Sequence, residues 1–185
     1  RFNIHIANNG VEGLKKVHLY HPDIVVTDQM MPEMDGLEML QSIRKDFQIS
    51  HIPVIILTAK NDEGAKTKAI TLGANAYITK PFSKEYLLAR IDQLLSERLL
   101  FRERIRLQME NQKTTEEDSY EQYLVKKDVQ FLEKIHQVIE ENMDDSDFNI
   151  DTIASGIGLS RSAFFKKLKS LTGLAPVDLV KEIRL

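Results

Sequence analysis

Asp23-Ile24-Val25-Val26-Thr27-Asp28-Gln29-Met30-Met31-Pro32-Glu33-Met34-Asp35-Gly36 is an apolar run that ends on a carboxylate and passes into a loop punctuated by proline and glycine. A β-branched run bounded by turn formers reads as a strand buried in a parallel sheet. In open α/β sheets the working groups gather just beyond the carboxyl ends of such strands, so Asp28 is the first candidate for chemistry. The plainer alternative is that Asp28 caps the loop that follows it.

The flanking sequence supports that sheet. Phe2-Asn3-Ile4-His5-Ile6-Ala7 alternates apolar and polar before the turn Asn8-Asn9-Gly10, and predicts a strand. Val11, Leu14, Val17 and His18 recur at helical spacing until His21-Pro22 stops the helix. Leu37, Leu40, Ile43 and Arg44 mark a second helix. Pro53 to Thr58 reads as a strand, Glu63 to Leu72 as a helix closed by Gly73, and Ala76 to Lys80 as a further strand. Strands alternating with helices imply βα units, a parallel sheet and helices on both of its faces.

Composition bounds the function. A chain of 185 residues, 42% hydrophobic and 29% charged, is long enough for one complete domain and part of another. No run approaches the ~18 apolar residues of a membrane span and no leader opens the chain, so a cytoplasmic segment without membrane contact is expected. The absence of cysteine excludes disulfides and thiolate metal sites. With a net charge of −3, any nucleic-acid binding has to come from a local patch. The chain opens at Arg1 without an initiator methionine and stops inside a motif, which reads as a piece of something longer.

The Asp28 segment, continuing as Met31-Pro32-Glu33-Met34-Asp35-Gly36, resembles the acceptor segment of two-component receiver domains. The resemblance implies a flavodoxin-like receiver over residues 1–110 with Asp28 as phosphoacceptor. Thr58, which closes its strand, and Lys80, directly before Pro81-Phe82, match the hydroxyl and the ammonium of the family's phosphate site. Taken alone, Thr58 would be a turn former and Lys80 a solvated charge. Together with Asp28 they could stabilise the equatorial charge of a transferring phosphoryl group. Pro81 resembles the family's cis-proline, and Tyr77 occupies its switch-aromatic position, although a half-buried strand tyrosine explains Tyr77 equally well. Magnesium is the implied cofactor, through Asp28 and the Met30 backbone carbonyl. The remaining acidic ligands belong to a first strand, between the Phe2 and Asp23 strands in the family's order, that is absent here along with its helix.

After Ser83, a plausible N-cap, Leu87, Ile91, Leu94, Arg98, Phe101 and Ile105 recur at alternating four- and three-residue spacing. This seam predicts a long helix that pairs two chains; the alternative is a helix packed on its own domain. Polar residues 111–125 read as a linker. In residues 126–185, Phe131, Ile135, Val138 and Ile139 form an apolar face, and Asp144-Asp145-Ser146-Asp147 breaks the helix. Small Ala154 and Gly158 permit a close crossing and a tight turn, and Ser160 caps a helix running through Arg161-Ser162-Ala163-Phe164-Phe165-Lys166-Lys167-Leu168-Lys169. With the exit Leu171-Thr172-Gly173-Leu174-Ala175-Pro176, this resembles the first helix-turn-helix of an AraC-type DNA-binding domain whose second unit is absent. The resemblance makes Arg161, Ser162, Phe165 and Lys166 candidates for base edges, and Lys167 and Lys169 candidates for phosphates.

The whole therefore reads as a phosphorylation-regulated, DNA-binding transcription regulator of a two-component system. A receiver joined to an AraC-type reader is also the arrangement of hybrid systems, in which a histidine kinase shares the polypeptide, often membrane-anchored through its sensor part. Expected partners are a histidine kinase, in cis or in trans, DNA, and a second copy along the long helix. As an enzyme, the alternative is an aspartyl-phosphate phosphatase of haloacid-dehalogenase type. That class needs a second Asp two residues after the first, and this position is Met30.

Overall fold

The computed structural model describes residues 2–59, 63–111, 126–142 and 149–179. Two compact units divide between Glu97 and Arg98. The first contains α1 (Gly10–Tyr20), β1 (Val25–Asp28), α2 (Gly36–Lys45), β2 (Val54–Thr58), α3 (Glu63–Thr71), β3 (Ala76–Thr79) and the start of α4 (Lys84–Asn111). Among the described residues no helix is long and apolar enough to cross a membrane.

The three strands are parallel, in the order β1-β2-β3, with Asp28 opposite Leu57 and Thr58 opposite Thr79. Side chains alternate across the sheet, so β2 feeds two cores. Val54 and Ile56 pack with Val17, Leu37, Leu40 and Ile43 on one face. Ile55 packs with Ala76, Ile78 and Leu94 on the other, and Leu57, Leu87 and Ile91 close over that cluster. The first half of the α4 seam is thus spent on the sheet of its own chain. Of the rest of the seam, the Arg98 guanidinium donates to the Ser170 hydroxyl, and the side chains of Phe101 and Ile105 lie outside the described residues.

One expected strand is not formed. Residues 2–7 join no ladder among the described residues, and Phe2, Ile4 and Ile6 are exposed. An extended segment needs a neighbour for its backbone groups, and among the described residues no strand pairs with residues 2–7. The segment leans on α1 instead. His5 stacks on Tyr20 at 3.8 Å between ring centroids, and the Lys16 ammonium donates to the Ile6 carbonyl. The outer side of β1 is open accordingly, with Val26 exposed.

Local signals set most boundaries as read. α1 ends at His21, whose backbone is left-handed at φ 47° and whose N–H donates to the Val17 carbonyl. Arg44 belongs to no apolar face. Its guanidinium donates to the carbonyls of Ser50 and Ile52 at 2.8 Å, and to the Gly73 carbonyl and Asn75 Oδ1 at 2.9 Å, tying α2 to the loops before β2 and β3.

The second unit holds α5 (Lys126–Glu141), α6 (Ile150–Ile157) and α7 (Arg161–Thr172). Phe131, Ile135 and Ile139 of α5 are buried, as are Ile153, Ala154 and Ile157 of α6 and Phe164, Leu168 and Leu171 of α7. Gly158, at φ 79°, makes the turn, and the Ser160 hydroxyl accepts from the Ala163 N–H. The close helix approach falls on Gly156, where an added Cβ would lie 3.2 Å from Val138 Cγ2. Asn111, the first residue of the expected linker, ends α4; the rest of that linker and the Asp144 to Asp147 break lie outside the described residues.

Replacing Leu94 with Glu is therefore expected to unfold the first unit rather than to separate two chains, since it puts a carboxylate among Ile55, Ala76 and Ile78 at a cost of several kcal/mol, roughly. Leu99→Glu, at a position 59% exposed, should leave thermal unfolding nearly unchanged. Equal melting of the two variants would contradict this packing.

Candidate functional site

Because the strands are parallel and nearly in register, their carboxyl ends lie side by side. Asp28 ends β1, Thr58 ends β2, and Lys80 follows β3. The Lys80 ammonium donates to Asp28 Oδ2. Its backbone N–H donates to the Thr58 carbonyl at 2.6 Å, and the Lys80–Pro81 bond is cis. Thr58 itself is buried.

The rest of the Asp28 segment shapes the loop. Asp35 caps α2: its carboxylate accepts from the Glu38 N–H at 2.8 Å, while Glu38 accepts from the Asp35 N–H at 3.0 Å, a reciprocal capping box. Gly36 admits the returning backbone, since a Cβ there would lie 2.2 Å from the Asp28 carbonyl oxygen. Gln29, which sequence reading passed over, holds the loop three ways. Its N–H donates to the Leu57 carbonyl at 2.7 Å, its carbonyl accepts from the Gly36 N–H at 3.0 Å, and its Oε1 accepts from the Tyr77 hydroxyl at 3.2 Å. A polar side chain beside the carboxylate was the available signal; that it reaches β3 depends on strand order.

Partial burial pushes the Asp28 carboxyl up, but the Lys80 hydrogen bond, the Met30 N–H at 3.2 Å and the Lys80 charge together outweigh it. Asp28 is therefore held below the ordinary carboxylate range and is ionised at neutral pH. An ionised carboxylate beside an ammonium can attack an electrophile, and the ammonium can stabilise the anion that forms. Magnesium wants near-octahedral oxygen donors, and receiver domains generally bind it. Among the described residues no group of three or more His, Cys, Asp or Glu could hold a metal, so these residues do not make a complete magnesium site around Asp28.

On α7, Arg161, Ser162, Phe165, Lys166 and Lys169 are exposed. At about 100° per residue they share an arc of about 140°. Arg161 pairs with Asp151 of α6 at 2.9 Å, and the Lys169 ammonium lies 6.0 Å from the Phe165 ring centroid. Lys167 does not belong to this face. It is fully buried and donates to Asp128 Oδ1 of α5 at 2.8 Å, so the expectation that it meets phosphates is corrected.

Residues 1–92 match the response regulator receiver domain family. Across its whole length the chain is 33% identical to "Histidine kinase P4" of Formosa agariphila, of which it spans 13%. Over 94 residues, 51% of the chain, it is 38% identical to the alkaline phosphatase synthesis transcriptional regulatory protein PhoP of Bacillus subtilis, of which it spans 38%. The Francisella response regulator 1452 receiver domain is 35% identical at a TM-score of 0.47, covering 50% of this chain and 75% of that one. Residues 1–92 belong to the receiver family. The phosphatase alternative is not favoured.

The sign of the Asp28 shift makes a test. A carboxyl whose folded pKa is depressed contributes stability above its unfolded value near ~3.9, and loses it as the pH falls through the lower folded value. A carboxylate NMR titration should place Asp28 below the ordinary range. In Lys80→Met it should move up, because burial remains and the ammonium is gone; an unmoved midpoint would show that Lys80 does not hold the site.

Proposed function

We propose that the chain is the phosphoacceptor and output portion of a two-component transcription regulator, in which a histidine kinase phosphorylates Asp28 and the second unit reads DNA. The observation that carries the first half is the Lys80 ammonium on the Asp28 carboxylate, which meet across the end of β2 in a receiver domain. Asp28 is the nucleophile. Lys80 and the Thr58 hydroxyl take the charge of the arriving phosphoryl oxygens, and Tyr77, bonded to the residue after Asp28, carries the change to the sheet face. Similarity over the whole chain to a protein named as a histidine kinase supports a hybrid arrangement with the kinase in cis.

The second half rests on α7, whose exposed Arg161, Ser162, Phe165 and Lys166 suit base edges in a major groove, with Lys169 on a phosphate. The pattern of the region remains that of an AraC-type helix-turn-helix. Pairing of two chains belongs to the part of α4 beyond Leu94.

Acetyl phosphate with magnesium should leave these 185 residues essentially unlabelled, because the metal donors are incomplete, and should label Asp28 in a longer version that supplies the acidic pair. Labelling of the Asp28→Asn form would overturn the assignment, and stable labelling of the 185-residue chain would overturn the incomplete metal site. For DNA, in a version carrying both helix-turn-helix units, Arg161→Ala should lose discrimination at particular base pairs by ~1–3 kcal/mol, and Lys169→Ala should weaken all sequences alike while flattening the salt dependence by about one unit. Uniform losses from both would move specificity away from α7.

A further inference from the structure

Lys167 stands in the run Lys166-Lys167-Leu168-Lys169, yet it is the one lysine of the three whose side chain is fully buried. Its ammonium meets Asp128 of α5 at 2.8 Å and lies 5.1 Å from the centroid of the Phe131 ring, which packs in turn against Phe164 at 6.0 Å. Asp128 is 1% exposed. Apolar contacts such as Phe164, Leu168 and Leu171 are non-directional and tolerate some rotation of a helix. An ion pair with both members inside does not, because turning α7 by one residue would leave two buried charges apart.

We infer that Lys167, Asp128 and Phe131 form a positioning device that fixes the rotation of α7 on α5, and so decides that Arg161, Lys166 and Lys169 rather than Lys167 face the DNA. The inference rests on the DNA-reading role proposed above and assigns Lys167 within it to α5 instead of to a phosphate. A buried pair of this kind adds little net stability against an apolar replacement of similar volume. Its contribution is to orientation, which separates it from a simple packing role.

The test is a cycle of Lys167→Met, Asp128→Leu and the double variant in the 185-residue chain, read first by hydrogen exchange of the α7 amides. Each single variant, leaving one charge without this partner, should lose protection by about a hundredfold or more, and the double should recover to within about tenfold of the parent. On random-sequence duplex across a salt series, with the same substitutions placed in a version carrying both helix-turn-helix units, the double should keep the parent's slope, whereas Lys166→Met should lower it by about one. Selection from a randomised duplex pool should show broadened sequence preference in the double, despite its recovered fold.

A parent-like preference in the double would make the pair merely structural and overturn the inference, as would full α7 protection in Lys167→Met or a slope lowered by one in the double. If the parent carrying both helix-turn-helix units shows no salt-dependent duplex binding, the DNA reading fails, a result separate from the exchange cycle.

Discussion

The Lys80 ammonium and the Asp28 carboxylate, at the ends of β3 and β1, meet over the edge of the sheet because those strands run the same way and end level. The register of β1, β2 and β3 supplies that condition, and most of the first unit exists to hold it. Gly36 lets the chain fold back under the Asp28 carbonyl, Asp35 starts α2 at the required point, and Gln29 pins the loop to β2. At the other end of α2, Arg44 gathers the carbonyls of the two loops that lead into β2 and β3. The ion pair is the visible result of backbone contacts spread over the whole unit.

The charge logic follows from partial exposure. Asp28 and Lys80 are each about a third or more exposed, so their attraction is screened and contributes little to stability. A weak pair is easily exchanged for another anion, which suits a site that must admit one. The opposite case is Lys167 with Asp128, shut away from solvent, where separation is costly. One chain thus uses the same chemical couple twice, once where it can open and once where it cannot.

Much of this was legible in the residues. The βα alternation, the positions of Asp28, Thr58 and Lys80, and the caps at His21, Gly158 and Ser160 follow from local pattern, because each depends on neighbours within a few positions. What was not legible depends on contacts distant in sequence. The strand at residues 2–7 needed a partner that the local alternation could not reveal. Gln29 reaches Tyr77 only through strand order. In Phe164-Phe165 and Lys166-Lys167 identical residues stand side by side, so composition could not say which lysine turns inward, and Asp128 on α5 decides it. Leu94 looked like a seam residue because a coiled-coil seam and a sheet-facing stripe share their spacing over two turns.

The open side of β1 has a practical consequence for handling the protein. Exposed Val26 on the edge strand β1 leaves an open strand edge of the kind on which chains associate edge to edge. These 185 residues on their own should therefore show poor colloidal behaviour at high concentration, improved by charge placed on that edge and unaffected by changes around α7.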